Sequence, residues 1–521
     1  MYRKIALPGS LLYALLLGAS LLCLPRSGYS QAAKRPNILI IFSDDHAYQS
    51  ISAYGSTLMK TPNIDRIANE GALFKNVFVT NSLCAPSRAT LLTGKYSHIN
   101  GLKINNISNP FNVQQELFPR ILQSHDYQTA WIGKWHLQTI PEGFNFWKVL
   151  PDQGQYYNPA FIDMHNDTTA TEGYVTNLIT GFAEDWLNSR DTAKPFCLVV
   201  GEKATHREWL PDLPDLGAFD NQTFPLPSNF YDNYDGREGA RNQDMTVDKT
   251  MVLKSDLKIH ADYLKSPAYR RFTPAQKKVF YDYYENKVSA DFDAHHYTGR
   301  QLLEWKYQRY MRDYLATAKS LDRNIGRILD YLDQHNLSKN TIVMYASDQG
   351  FYLGEHGWFD KRFIYEESLR TPMVMRYPGV IKPGTVVDEM IMNIDFAPTM
   401  LDVADVPIPT SIQGKSFLPV LRHTIKGNAW RSGVYYHYYE YPQPHHVSPH
   451  FGMRTEQYKL VRFYGPADFW ELYDLQKDPK EMHNIYPAHA GDQLVQHLKQ
   501  QLQALITQYR DDEALQLMKK G

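Results

Sequence analysis

Four short apolar segments of this chain each end in polar or ionisable side chains. The segments and the residues that follow them are Ile38–Phe42 with Asp44 and Asp45, Gln128–Ile132 with Lys134 and His136, Phe196–Val200 with Lys203 and His206, and Ile342–Ala346 with Asp348 and Gln349. Continuous apolar segments of this kind are typical of strands buried on both faces of a parallel sheet. Because ligands of open α/β sheets bind beyond the carboxyl ends of the strands, we expect these side chains to form one site.

The two pairs that contain aspartate favour a hard divalent cation. A single aspartate after a strand is more often a helix cap or a turn former. Two such pairs, Asp44-Asp45 and Asp348-Gln349, at equivalent strand ends shift the balance towards a metal site. Carboxylate and amide oxygens suit Ca²⁺ or Mg²⁺, and the sequence has no Cys/His cluster of the kind that holds structural zinc.

A cysteine motif adds a candidate nucleophile. Cys84-Ala85-Pro86-Ser87-Arg88 is followed by Leu92-Thr93-Gly94. An isolated cysteine is ordinarily a small buried apolar residue. This motif, however, resembles the signature of the sulfatase family, in which a maturation enzyme oxidises the cysteine to formylglycine. The hydrated aldehyde attacks the sulfur of a sulfate ester, so the resemblance implies a sulfatase.

The resemblance extends from Asn37 to about Ile485. Its further motifs are Asp44-Asp45, Gly133-Lys134-Trp135-His136, Asp348-Gln349-Gly350, Leu472-Tyr473-Asp474 and Asp478-Pro479. It implies an alkaline-phosphatase-like α/β sandwich and one Ca²⁺. The implied metal ligands are Asp44, Asp45, Asp348, Gln349 and the formylglycine derived from Cys84. Gln349 stands where the family more often has asparagine, which keeps the donor oxygen but moves it one methylene further out.

The resemblance also implies roles for the cationic and imidazole side chains. Arg88 would stabilise the hydrated aldehyde and the metal ligands. Lys134, Lys361 and His206 would hold the sulfate oxygens or protonate the leaving alcohol. His136 would take the proton that lets the diol release sulfate. Fixed positive groups of this kind stabilise the charge that develops on a sulfate ester.

Two further segments resemble the bacterial N-acetylglucosamine-6-sulfatases, including those that desulfate mucin. They are Lys203–Trp209 and the stretch from Tyr436-His437-Tyr438-Tyr439-Glu440-Tyr441-Pro442 to His450-Phe451-Gly452. In that interpretation Asp360, Arg362 and His450 contact sugar hydroxyls. Each of these three residues could equally form a structural ion pair or pack within a loop.

Other functions stay open at this point. Another carbohydrate sulfate, on galactose, N-acetylgalactosamine or iduronate, is the nearest alternative. A phosphoesterase of the same fold would need a Ser or Thr nucleophile and a two-metal site, and position 84 is Cys. A non-catalytic glycan-binding protein would be marked by loss of Cys84, Arg88 or the acidic pairs, and all of them are present.

The pattern along the chain predicts an α/β fold with a large, mostly parallel sheet. A long amphipathic helix is predicted over about Gln301–Gln334, and Arg207–Tyr297 is interpreted as an excursion that shapes the site. Near Arg431 the pattern changes to short strands and a closing helix over Ala490–Tyr509. We therefore predict a catalytic domain over residues 31–430 and a smaller C-terminal subdomain, with a short antiparallel sheet, over 431–521.

Composition and the N-terminus limit the partners and the compartment. The formal net charge of −1 argues against nucleic acid as a partner. Residues 1–30 have the charged start, short apolar segment and small residues of a signal peptide, and the apolar segment is too short for stable membrane insertion. With no disulfide framework available, the sequence predicts an exported protein, in a bacterial periplasm rather than secreted or lipid-anchored. The expected partners are a sulfated carbohydrate and the maturation enzyme.

Overall fold

The structure, a computed structural model, describes residues 1, 35–105, 108 and 110–520. The predicted signal peptide over 1–30 lies outside these residues apart from residue 1. The fold described below is that of residues 36–520. No helix within the described ranges is long and apolar enough to cross a membrane.

The strands of the described chain fall into one large sheet, one smaller sheet and two short pairs. They are β1 (Asn37–Ser43), β2 (Ala72–Phe74), β3 (Val77–Phe78), β4 (Gln128–Lys134), β5 (Phe146–Leu150), β6 (Ala160–Ile162), β7 (Thr168–Ala170), β8 (Phe196–Gly201), β9 (Thr341–Ser347), β10 (Tyr352–Leu353), β11 (Phe359–Asp360), β12 (Met373–Arg376), β13 (Thr385–Val387), β14 (Ile391–Met392), β15 (Gly433–Tyr438), β16 (His450–Thr455), β17 (Tyr458–Phe463) and β18 (Phe469–Asp474).

The large sheet contains ten of these strands, in the order β13-β2-β12-β9-β1-β8-β4-β5-β6-β7. Its centre is parallel, because β9, β1, β8, β4 and β5 all run in the same direction. β12 runs antiparallel to β9, and β6 runs antiparallel to β5. The four apolar segments identified in the sequence are the central strands β1, β4, β8 and β9. The prediction of a mostly parallel α/β sheet is therefore confirmed.

Helices cover both faces of this sheet. The α-helices of the described residues are α1 (Pro62–Asn69), α2 (Cys84–Thr93), α3 (Ser97–Asn100), α4 (Phe118–Ser124), α5 (Val175–Ser189), α6 (Glu238–Arg241), α7 (Pro274–Phe280), α8 (Ala290–His295), α9 (Gly299–Gln334), α10 (Glu366–Leu369), α11 (Phe396–Val403), α12 (Leu418–Leu421), α13 (Tyr486–His489), α14 (Gln493–Tyr509) and α15 (Asp512–Lys520). Alternate residues of β1 point to opposite faces. Ile40 and Phe42 pack on the side of α2, whereas Leu39 and Ile41 pack on the side of α9.

The smaller sheet is antiparallel and consists of β15, β16, β17 and β18 in sequential order, between residues 433 and 474 of the described chain. The helix α14 packs on it through Leu498, Leu502 and Ile506. The short antiparallel sheet and the closing helix predicted from the sequence are both present. The same apolar cluster includes Phe363 and Tyr365, so this sheet supports the segment that follows β11.

The excursion between Arg207 and Tyr297 is more helical than its sequence suggests. It contains α6, α7, a π-helix over Tyr281–Ser289, and α8. Phe280 and Tyr284 are buried there against other aromatic rings. Charged residues interrupt the apolar spacing, so the sequence pattern alone shows little helical periodicity.

Candidate active site

Cys84 is the first residue of α2, a helix whose ten residues are all buried. Leu83 precedes it in an extended conformation and offers no side-chain cap. Pro86 is tolerated in the first turn because the N–H groups there have no partner within the helix. The helix ends at Gly94, whose φ of 62° lies in the left-handed region. Cys84 is therefore held rigidly in the interior, at the carboxyl edge of the sheet.

Three carboxylates meet beside Cys84. Asp44, Asp45 and Asp348 are buried, and each offers a carboxylate oxygen such that the three atoms lie within 4.8 Å of one another. The Asp45 N–H donates to Asp348 Oδ1 at 3.1 Å. Within the described part of the chain, Asp44 Oδ1 and Gln349 Oε1 are buried without a hydrogen-bond partner. Orphaned oxygens among clustered carboxylates fit a hard divalent cation.

A cationic side chain lies against each of these carboxylates. Lys134 pairs with Asp44. Lys361 Nζ lies 2.7 Å from both carboxylate oxygens of Asp45. Arg88 donates to Asp348 Oδ2 through Nε at 3.2 Å and Nη2 at 3.1 Å. The remaining guanidinium nitrogen of Arg88, Nη1, donates to the Lys134 carbonyl at 2.9 Å, which fixes two strand ends to α2.

The pKa values of the three carboxyl groups diverge because the groups share one buried space. Burial raises the pKa of Asp44, but Lys134 and its other cationic neighbours outweigh it and hold that pKa well below its ordinary value. Burial raises the pKa of Asp45 to about 6, opposed by Lys361 and assisted by Asp44. Burial and the charge of Asp44 raise the pKa of Asp348 well above its ordinary value. Crowded carboxylates of this kind become fully ionised when a cation binds among them.

The thiol of Cys84 is a poor nucleophile in this environment. Burial and the neighbouring Asp44 raise its pKa above the ordinary value, although Lys361 and Lys134 oppose the shift. Lys361 Nζ lies 3.4 Å from Cys84 Sγ, and Gln349 Nε2 lies 3.7 Å from it. Because the thiolate is the reactive form of cysteine, this site does not activate Cys84 as a thiol.

The two candidate imidazoles are neutral. Burial holds the pKa of His206 well below its ordinary value. Burial, assisted by Lys134, does the same for His136. His206 Nδ1 lies 2.6 Å from the Arg207 carbonyl, so it carries the proton and leaves Nε2 as the acceptor. His136 Nε2 lies 3.6 Å from Asp152, and within the described chain its buried Nδ1 has no partner.

A cavity of about 210 Å³ opens beside the carboxylates. It brings together residues of the predicted metal, sulfate and sugar sites. Its lining residues are Asp45, Asn105, Gln153, His206, Arg207, Phe351, Phe359, Asp360, Lys361, Arg362, Pro444 and His445. A second cavity of about 220 Å³, which includes His136, shares Asn105 and Gln153 with the first.

The structure does not bring His450 to this cavity. His450 is fully buried at the start of β16 and stacks among aromatic rings. Its Nε2 accepts the Ile364 N–H at 3.1 Å, and its Nδ1 lies 2.8 Å from the Ser448 carbonyl. Both nitrogens are thus bound to backbone groups. The expectation that His450 contacts a sugar hydroxyl is contradicted by this placement, because no polar atom of the ring is free to do so.

Several lining residues were not predicted from the sequence. His445 lines the cavity instead of His450, and its Nε2 lies 2.9 Å from Asp360 Oδ2. Gln153 Oε1 accepts from Lys134 Nζ at 2.5 Å. Asn105 lies on a loop that follows α3. His445 belongs to the Tyr436–Gly452 stretch that the sequence already marked, whereas Gln153 and Asn105 carry no local signal.

The comparisons with known proteins agree with this geometry. The family described as sulfatase matches residues 36–406, and that described as N-sulphoglucosamine sulphohydrolase, C-terminal, matches residues 354–508. An N-acetylglucosamine-6-O-sulfatase of Bacteroides thetaiotaomicron is 46% identical over 495 residues, which are 93% of this chain and 88% of that protein. An N-acetylglucosamine-6-sulfatase of Homo sapiens is 27% identical, over 80% of this chain and 69% of that protein.

A solved structure extends the likeness to three dimensions. It is a complex of a protein with its substrate D-glucosamine-2-N,6-O-disulfate, and it superposes with a TM-score of 0.89 at 45% identity. The match covers 92% of this chain and 99% of that one. The fold and the site thus define a hydrolase of the alkaline-phosphatase-like class. Within that class the chain belongs to the sulfatase family and hydrolyses sulfate esters.

Proposed function

We propose that this sulfatase removes the 6-O-sulfate of N-acetylglucosamine in host-type glycans, with formylglycine at position 84 and one bound Ca²⁺. The observation that carries the proposal is the single cavity lined by Asp45, Lys361 and His206 on one side and by Asp360 and Arg362 on the other. The first three residues suit a sulfate group beside position 84. Asp360 and Arg362 offer a carboxylate and a guanidinium, which are the groups that bind sugar hydroxyls by charge-assisted hydrogen bonds.

The donor set fits Ca²⁺. Asp44, Asp45, Asp348 and Gln349 would hold the ion together with the residue at position 84, since all are buried and two of their oxygens lack other partners. When bound, the cation supplies positive charge that stabilises the sulfate oxygens. Formylglycine, as its hydrate, supplies a nucleophilic oxygen where the Cys84 thiol now lies.

The chain's own residues stabilise the negative charge and move the protons. Lys361, beside the side chain of residue 84, and Lys134 stabilise the negative charge on the sulfate. His206 presents Nε2 to the cavity. Because this nitrogen is unprotonated, it first takes up a proton and then donates it to the oxygen of the leaving alcohol, which returns the imidazole to its neutral form. His136 is neutral and accepts the proton that allows sulfate to leave. Arg88 holds Asp348 and the Lys134 carbonyl in place.

The substrate class rests on the relatives and on the cavity. The relative at 46% identity is an N-acetylglucosamine-6-O-sulfatase, and the matched complex holds a glucosamine sulfated at the 2-N and 6-O positions. In this chain Asp360, Arg362 and His445 would bind the sugar. The same proposal includes three further points. The protein is exported through its first 30 residues, it is activated by a maturation enzyme, and it divides into a catalytic domain over residues 31–430 and a subdomain over residues 431–521.

The test is a desulfation screen with protein co-expressed with a maturation enzyme. We expect release of sulfate from 6-sulfated N-acetylglucosamine, measured with and without an N-sulfate, in preference to 6-sulfated galactose and 6-sulfated N-acetylgalactosamine. A preference for either galactose-type sugar would contradict the proposed substrate.

Two variants separate sugar binding from sulfate chemistry in the same screen. Arg362→Ala should lower kcat/KM on the sugar sulfate by roughly tenfold to a hundredfold, because a hydrogen bond to a charged group contributes about 1.5–3 kcal/mol. Its effect on a small aryl sulfate should be much smaller, since that substrate lacks the hydroxyls. Lys134→Ala should impair both substrates, by on the order of 10²–10³. Equal losses on both substrates in Arg362→Ala would remove Arg362 from the sugar site.

A further inference from the structure

The N-terminus of α2 is capped by a residue outside the helix. Leu83 provides no side-chain cap, yet Asn105 Oδ1 accepts the Ala85 N–H at 3.0 Å. Ala85 directly follows the residue that carries the nucleophile. Because N–H groups in the first turn need an acceptor, Asn105 stabilises the turn that fixes the direction of residue 84.

The backbone of Asn105 makes a second contact that leads to the proposed sugar site. Its N–H donates to Glu440 Oε1 at 3.0 Å. The other oxygen of Glu440 pairs with Arg362 Nη1, and Glu440 is only 9% exposed. Arg362 Nη2 in turn lies 3.8 Å from Asp360 Oδ2. A continuous set of contacts therefore joins the first turn of α2 to the arginine and aspartate proposed to bind the sugar.

The segment that carries Arg362 needs such external support. The φ angles of Asp360 and Arg362 are 79° and 97°, in a region that residues other than glycine rarely adopt. Support comes from the end of β15 and the residues after it. The Tyr436 hydroxyl donates to the Arg362 carbonyl at 2.6 Å, and Glu440 pairs with the guanidinium. Within the described chain Arg362 Nε is buried and has no hydrogen-bond partner.

We propose that Asn105 and Glu440 are positioning residues that hold Arg362 at a set distance from residue 84. Glu440 orients the guanidinium for the sugar, and Asn105 joins Glu440 to the helix that carries the reacting group. The sugar ring is thereby bound at the distance from residue 84 that places its sulfate beside that residue. This inference rests on the proposed function, because it takes Arg362 to be a sugar contact.

The experiment uses the matured, metal-loaded enzyme and measures kcat and KM on 6-sulfated N-acetylglucosamine and on a small aryl sulfate. Glu440→Gln keeps the shape of the side chain but removes its charge. We expect kcat/KM on the sugar sulfate to fall by about tenfold to a hundredfold. The loss on the aryl sulfate should be at least about tenfold smaller, because that substrate does not use Arg362. Glu440→Asp, which restores the charge, should recover part of the lost activity.

A double-mutant cycle with Arg362→Ala tests whether Glu440 acts through the arginine. If it does, Glu440→Gln should change kcat/KM by less than about threefold once Arg362 is alanine. Glu366→Gln is the matched control, since Glu366 is another largely buried glutamate paired with an arginine, Arg454, and does not line the cavity. It should alter neither the ratio between the two substrates nor the coupling.

Asn105→Ala provides a second variant. It removes the acceptor of the Ala85 N–H, so it should lower kcat on both substrates while its metal content stays at the wild-type level.

Additive effects of Glu440→Gln and Arg362→Ala, or equal losses on the two substrates in a folded Glu440→Gln protein, would overturn the inference. If Arg362→Ala itself shows no selective loss, the proposed sugar site fails; if it does but the cycle is additive, only the positioning role fails.

Discussion

Replacement of His450 should destabilise the protein without changing its substrate preference. The imidazole is fully buried and packs against the rings of Phe363, Tyr436, Tyr438 and Phe463. Burial lowers its pKa to about 3, so the ring is neutral at any physiological pH. Its role in the structure is to fill this aromatic cluster and to accept the Ile364 N–H.

The expected magnitudes follow from these contacts. Truncating a large buried ring to alanine costs about 3–5 kcal/mol, and leaving the Ile364 N–H unsatisfied costs about 1–3 kcal/mol more. His450→Ala should therefore lose on the order of 4–8 kcal/mol, comparable with the roughly 5–15 kcal/mol that stabilises a typical protein. His450→Phe keeps an aromatic ring, although a larger one. It should lose the hydrogen-bond part, about 1–3 kcal/mol, and about 1–3 kcal/mol more because the extra ring volume must fit a packed core.

The assay combines denaturant unfolding with kcat/KM on 6-sulfated N-acetylglucosamine and on an aryl sulfate. For folded His450→Phe we expect the ratio of the two kcat/KM values to stay within about threefold of the wild-type ratio, since the ring offers no free polar atom to a ligand. A stable His450→Phe protein that loses at least about tenfold more activity on the sugar sulfate would refute this reasoning.

The remaining predictions concern the nucleophile, the metal and a buried glutamate. Cys84→Ala should abolish turnover and keep the fold, because no neighbouring side chain can replace a geminal diol; clear sulfatase activity in the purified variant would exclude the assignment. A chelator should inactivate the enzyme and Ca²⁺ should restore it, and Asp348→Ala should lose metal and activity together; full activity with no metal by elemental analysis would exclude a metal role. Burial raises the pKa of Glu471 from 4.5 to about 7. The protonated carboxyl therefore stabilises the fold fully below pH 4.5, by about 3 kcal/mol. This stabilisation is lost as the pH rises to about 7. Glu471→Gln should accordingly flatten the fall in unfolding free energy between these pH values, and an unchanged slope would show that Glu471 is ionised in the fold.

Residues at the ends of the central strands could be identified from the sequence because of a general property of parallel sheets. Strands that run in the same direction deliver their carboxyl ends to one edge, whatever the length of chain between them. Asp44, Lys134, His206 and Asp348 were therefore expected together, and the structure brings them together. The cysteine motif added position 84 because a local pattern identified it directly.

His450 shows why a local pattern can mislead. The resemblance of its segment to N-acetylglucosamine-6-sulfatases suggested a sugar contact, but the sequence does not tell which way the side chain points from β16. In the fold the ring turns into the aromatic cluster, and His445, five residues earlier, contacts Asp360 instead. The loop between β15 and β16 decides this, and its path depends on contacts with distant segments.

The sequence by itself indicated the chemistry of this protein through a sulfatase cysteine motif, two acidic pairs at strand ends and a parallel α/β sheet that brings them together. Only the tertiary structure decided how the proposed sugar-binding groups are held relative to position 84. Asn105, Glu440 and Arg362 are separated by up to 335 residues along the chain. Their contacts arise from the packing of the C-terminal sheet against the segment after β11, and packing between distant segments leaves no periodic or local signal in a single sequence.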